Sequence, residues 1–183
     1  MHREVLEKVM TEEEYLAFEL GSNVRHEYIN GKLFEMAGES KRNNDIAGNI
    51  YILLKAIAKA KGWNIYSHDV MLKIADQSVY YYPDLFITDE KESDSDYVCH
   101  SALLVVEILS PSTRHFDMFD KYLQYRKIAE LRYYLLVEPS KQLITLCEKD
   151  DKGEWSTELF DVKDGKVQMK FLGLELSIPS VFR

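Results

Sequence analysis

The sequence predicts a mixed α/β fold, a central sheet with helices packed on it, and three observations carry that prediction. Helical patterns at residues 11–20 and 41–61 enclose a hairpin signal, strand-length apolar runs crowd residues 64–109, and a further helical pattern at 117–129 precedes another set of strand-like runs. At 183 residues the chain is expected to form one domain with a sizeable core, since domains of roughly 100 to 150 residues are the commonest size.

Thr11 followed by Glu14 is a capping box, in which each side chain satisfies a backbone N–H of the first turn, so a helix is expected over 11–20. Asn30-Gly31 between apolar runs at 25–29 and 32–36 is a two-residue hairpin signal. The stretch 41–61 places Ile46, Ile50, Leu53, Leu54 and Ile57 on one stripe and ends before Gly62, which suits a helix C′ position. Strands are expected at 64–67 with 70–74, at 80–87 and at 103–109, with the acidic stretch 89–96 as a solvated loop. A helix at 117–129 then leads to strands at 133–138 and 143–147, a turn at 150–153 and a closing strand at 155–160. No internal repeat or low-complexity tract is visible.

Composition narrows the function classes. The N-terminal stretch is charged and lacks a signal-peptide core, and no run approaches the ~18 apolar residues of a membrane span, so a cytoplasmic protein without a membrane partner is expected. Cys99 and Cys147 are too few for a disulfide framework and lack the spacing of zinc or redox motifs. A net charge of −8 repels a polyanion overall, so any nucleic-acid binding is expected to be weak, salt-sensitive and metal-dependent. Lys41, Arg42, Lys55, Lys59, Arg114, Arg126 and Lys127 are the candidates for a local phosphate-binding strip, with a scattered solvated surface as the equal alternative.

The chemistry concentrates between residues 80 and 136. Asp84 follows a proline in one apolar strand, and Glu107 stands among Val105, Val106, Ile108 and Leu109 in the next. Removing an ionised carboxylate from water costs several kcal/mol or more unless something cationic compensates, so a metal site is the first hypothesis. On the following helix Asp117, Lys121 and Tyr125 recur every four residues and share one face, which lets Lys121 point back toward the strand ends. Two acids that hold a divalent cation and a lysine that positions the nucleophile are the minimal set for hydrolysing a phosphodiester.

With those residues in view, the chain resembles the PD-(D/E)XK nuclease superfamily and, within it, the restriction-endonuclease-like family known as domain of unknown function 820. The family's successive motifs stand here in order at residues 11–15, 26–31, 36–40, 81–84, 105–113, 117–125 and 134–139. The resemblance implies that Asp84 and Glu107 are the metal-binding acids, joined by the Ile108 backbone carbonyl, and that Lys121 is the catalytic lysine. The superfamily's usual lysine lies two residues after the glutamate, where this chain has Leu109, so the lysine has moved onto the helix. Glu27 in the hairpin is a fourth catalytic candidate, and Asn43 stands where the family pattern has histidine. Tyr125, Asn43 and Arg114 are candidate substrate contacts. The expected protein is a Mg²⁺- or Mn²⁺-dependent endonuclease acting on DNA as a homodimer.

Each residue also has a plainer reading. Glu107 can be a buried acid satisfied by an arginine or backbone amides, Asp84 can open a loop, Lys121 can pair with Asp117 for only ~0.2 to 0.5 kcal/mol, and Glu27 can be an exposed strand residue. His68, His100 and His115 have no ligand spacing and read as surface or satisfied histidines, and Tyr80, Tyr81 and Tyr82 as structural. Two rival functions stay open at this point, a catalytically silent binding or dimerisation module and a hydrolase of another phosphoester.

Overall fold

The structure is a computed structural model and describes residues 3–4, 9–36, 38–74, 77–91 and 95–183. Parts of the charged N-terminal stretch, residue 37 of the 36–40 motif and residues 92–94 of the expected acidic loop lie outside the described residues. A short strand, β1 (Arg3–Glu4), precedes the first helix, α1 (Glu12–Gly21). The capping box forms, with the Glu14 N–H donating to Thr11 Oγ1 at 3.2 Å and the Thr11 N–H donating to Glu14 Oε2 at 2.8 Å. β2 (His26–Ile29) and β3 (Lys32–Glu35) pair around Asn30 and Gly31, whose φ angles of 50° and 92° meet the positive-φ requirement of a type I′ turn. α2 (Lys41–Ala60) is capped by Ser40 and buries Ile46, Ile50 and Leu54, with Leu53 and Ile57 partly buried beside them.

β4 (Asn64–Tyr66) and β5 (Met71–Lys73) follow. The run at 80–87 is not one strand, as expected from its apolarity, but two. β6 (Val79–Tyr81) and β7 (Leu85–Thr88) belong to different sheets. Pro83 has no N–H to give to a ladder, so the chain leaves one sheet and enters the other through Tyr82, Pro83 and Asp84. β8 (Val98–Cys99) is a strand not foreseen from the sequence, and β9 (Leu104–Ile108) is the apolar strand around Glu107. The helix expected at 117–129 is a π-helical turn, Phe116–Lys121, running into α3 (Tyr122–Tyr125), and it stops earlier than expected. Its end is set by packing, because the Ile128 N–H closes back on the Tyr125 carbonyl at 3.0 Å and the Ile128 side chain is fully buried.

β10 (Tyr133–Glu138), β11 (Leu143–Lys149) and β12 (Trp155–Phe160) stand where expected. Beyond them come a hairpin of β13 (Lys166–Met169) and β14 (Leu174–Ser177) and the short α4 (Ile178–Val181), none of which was foreseen. One sheet runs β1-β3-β2-β6-β5-β8 and the other β12-β11-β10-β9-β7-β4, with β9 and β10 parallel. Helices therefore pack on mixed sheets, the α+β class expected.

Alternation along β9 decides what Glu107 faces. Leu104, Val106 and Ile108 join α2 and the C-terminal hairpin in one core cluster. Val105 and Leu109 join Tyr125, Tyr134 and residues of β5 and β6 in another, so the period-2 pleat sends Glu107 to the side of Lys121 and the first sheet. Tyr80, Tyr81 and Tyr82 are all buried, in agreement with a structural reading. Cys99 and Cys147 are free and buried in the same apolar cluster.

Candidate active site

The break between β6 and β7 leaves Asp84 at the mouth of a cleft between the sheets, where its Oδ2 accepts a hydrogen bond from the Ile108 N–H at 2.6 Å. Glu107, next to Ile108, receives two donors on Oε1, the Lys121 ammonium at 3.0 Å and the Tyr125 hydroxyl at 2.8 Å. Lys121 Nζ also lies 2.9 Å from Glu27 Oε1 on β2 and 3.4 Å from Asp117 Oδ1 one turn earlier on its own helix. The ammonium sits 5.5 Å from the Tyr81 ring centroid and 5.9 Å from that of Phe116. Glu27, Asp84, Glu107, Asp117 and Lys121 all line one cleft of about 280 Å³, with the approach to α2 and the 110–113 turn completing its wall.

The electrostatics follow from this crowding. Burial pushes the Asp84 carboxyl up to about 7, with the Glu39 charge adding to it and the Ile108 N–H and Lys121 pulling the other way. Burial also raises Glu107 well above the usual carboxylate range, against the attraction of Lys121. Burial alone would discharge Lys121, but Glu107, Glu27 and Asp117 outweigh it and hold the ammonium charged well above the ordinary lysine range. Four carboxylates thus face one ammonium in the cleft. Such an excess of negative charge is stable only with bound protons or another cation. Oxygen-only donors of this kind suit a hard divalent ion such as Mg²⁺ or Mn²⁺, so the residues present fit a metal held by Asp84 and Glu107.

Of the residues singled out in the sequence, Asp84, Glu107, Lys121 and Glu27 come together, and Ile108 and Asn43 line the same cleft. Glu27 is fully buried rather than an exposed hairpin residue. Two expected substrate contacts are not among the residues that line the cleft. Tyr125 is fully buried and donates its hydroxyl to Glu107. Arg114 pairs with Glu138 and is absent from the cleft wall. The basic strip is also depleted, because Arg42 donates to the Pro139 carbonyl, Lys127 to Gln124, and Arg126 lies over the Tyr122 and Trp155 rings.

The structure adds residues that the sequence did not single out as site members. Asp117 is buried against Lys121, a role foreshadowed only by its four-residue spacing. Glu39, His68 and Asp84 offer ligand atoms within 4.8 Å of one another, a grouping that the sequence reading of His68 did not include. Their separation in the chain leaves no spacing motif to find.

Comparison with known proteins bears on the family and the fold. The Uma2 family, described as "Putative restriction endonuclease", matches residues 12–179. Two proteins of Synechocystis sp. are similar over most of their length: uncharacterized protein slr1290 is 30% identical over 175 residues, covering 95% of this chain and 92% of that protein, and uncharacterized protein sll1609 is 28% identical over 169 residues, covering 90% and 95%. A crystal structure from Anabaena variabilis, described as "a putative nuclease belonging to DUF820", superposes with a TM-score of 0.77 at 18% identity, covering 94% of this chain and 97% of that one. At that identity the superposition establishes the shared fold. Among the described residues, no helix is long and apolar enough to cross a membrane.

Proposed function

Because this chain belongs to the Uma2 family, described as "Putative restriction endonuclease", we propose that it is a divalent-metal-dependent endonuclease that hydrolyses phosphodiester bonds in DNA. The observation that carries this reading is the placement of Lys121 Nζ 3.0 Å from Glu107 Oε1 in a cleft that Asp84 also enters.

Asp84 and Glu107, with the Ile108 carbonyl, would hold Mg²⁺ or Mn²⁺. When bound, such an ion supplies Lewis acidity toward the phosphate and lowers the pKa of water in its vicinity. Lys121 orients the attacking water through its ammonium and stabilises charge that builds on the phosphate oxygens in the transition state. Glu27, Asp117 and Tyr125 hold Lys121 and Glu107 in place, which keeps the geometry fixed without a reorganisation step. A duplex has two strands, and a two-fold homodimer would bring one such cleft to each. The same reading places the protein in the cytoplasm.

One observation favours the rival reading of a silent binding module: several basic residues available for phosphate contact are committed to partners within the chain. A cleavage assay separates the two. Duplex DNA, single-stranded DNA and RNA are incubated with wild type, Asp84→Asn and Glu107→Gln, with Mg²⁺ and with chelator. The proposal expects Mg²⁺-dependent cleavage of duplex DNA that falls on the order of 10²-fold or more in either variant. Equal cleavage in the variants, or none by wild type, contradicts it.

A further inference from the structure

Glu39, His68 and Asp84 reach one point from three separate segments, the approach to α2, the loop after β4 and the start of β7. Their ligand atoms face one another within 4.8 Å, and Glu107 is not a member of the group. Among the described residues no hydrogen bond is found between any two of the three. Glu39 is exposed, so its carboxylate can turn toward the other two. A cation that holds N and O donors at about 2.1 Å leaves any two of them no more than about 4.2 Å apart, so the three side chains need to close by no more than about 0.6 Å from their 4.8 Å limit.

We infer that Glu39, His68 and Asp84 form a second divalent-cation position, beside the acid pair and sharing Asp84 with it, that takes a borderline transition ion such as Zn²⁺ in preference to Mg²⁺. The preference follows from the donors. An imidazole beside two carboxylates suits Zn²⁺, whereas Mg²⁺ dehydrates reluctantly and favours all-oxygen surroundings. The inference rests on the nuclease reading only in that Asp84 would serve both positions. A second cation would also bring positive charge to the cleft of a protein whose net charge is −8, where a polyanionic substrate needs it most.

Crystals of wild type, His68→Ala, Glu39→Gln and Glu107→Gln, each soaked in turn with Mn²⁺ and Zn²⁺, test the site by anomalous scattering. The expected result is a Zn²⁺ peak at bonding distance from Glu39, His68 and Asp84 in wild type and Glu107→Gln, and its loss in His68→Ala. In solution, calorimetric Zn²⁺ affinity should fall about 10-fold or more in Glu39→Gln, whose exposed position makes misfolding no explanation. A wild-type peak confined to Asp84 and Glu107 overturns the second position and leaves the nuclease reading standing. A peak at Glu39, His68 and Asp84 with none near Glu107 does the reverse. Persistence of the peak in His68→Ala also overturns the inference.

Discussion

Lys121 Nζ lies 3.0 Å from Glu107 Oε1, and both groups are almost wholly buried. Breaking a buried pair from one side leaves the other charge uncompensated, which typically costs about 3–5 kcal/mol. Lys121→Met is expected to destabilise the metal-free protein by about that amount, since Glu107, Glu27 and Asp117 would then face one another alone. Urea unfolding above pH 7 measures it. The loss should shrink under acidic conditions, where the carboxylates take up protons.

The raised Asp84 carboxyl predicts a pH dependence of definite sign. Its folded pKa of about 7 lies above its ordinary value of 3.8, so the folded state binds the proton more tightly than the unfolded chain does. That contribution to stability is fully present below the ordinary value and is lost as pH rises through about 7. Metal-free protein should therefore melt at progressively lower temperature across this window. Mg²⁺ or Mn²⁺, which compete with the proton, should restore the melting temperature above pH 7 more than below pH 5. Equal restoration at both ends would contradict the assignment.

The Tyr125 hydroxyl donates to the same Glu107 oxygen at 2.8 Å. Deleting a donor to a buried charged group costs about 1–3 kcal/mol. Tyr125→Phe is expected to lose stability in that range by chemical denaturation while keeping the metal stoichiometry of wild type, because the tyrosine holds Glu107 without meeting the substrate.

One core cluster draws Leu72, Val79 and Tyr81 from the first sheet and Phe86, Val105 and Tyr134 from the second. Sheets that share a core of this kind unfold together, and we propose that the chain is a single folding unit. Urea transitions followed by tryptophan fluorescence, from Trp63 and Trp155, and by far-ultraviolet circular dichroism should coincide. Separate midpoints would mean that the sheets unfold independently.

The acids were legible because an ionisable group in an apolar strand has few inexpensive explanations, and Lys121 because four-residue spacing survives in the helix that carries it. The sheet change between β6 and β7 was not, since Tyr80 to Ile87 reads as one apolar run and only Pro83 hints at the break. The π-helical turn at Phe116–Lys121 was hidden for a related reason: an extra residue per turn alters hydrogen bonding without altering composition. β13 and β14 are four residues each, too short for alternation to stand out from chance. Glu39 and His68 join Asp84 through loop geometry alone, and periodicity carries no information about loops.

Calorimetric titration of Mg²⁺ into wild type and Glu107→Gln above pH 7 tests the metal centre most directly, because Glu107 belongs to the acid pair and not to the Glu39, His68 and Asp84 group. The account predicts saturable binding to wild type that is lost in Glu107→Gln while the variant's fold, followed by circular dichroism, is retained. Unchanged Mg²⁺ binding in the variant, or no binding by wild type, would contradict it.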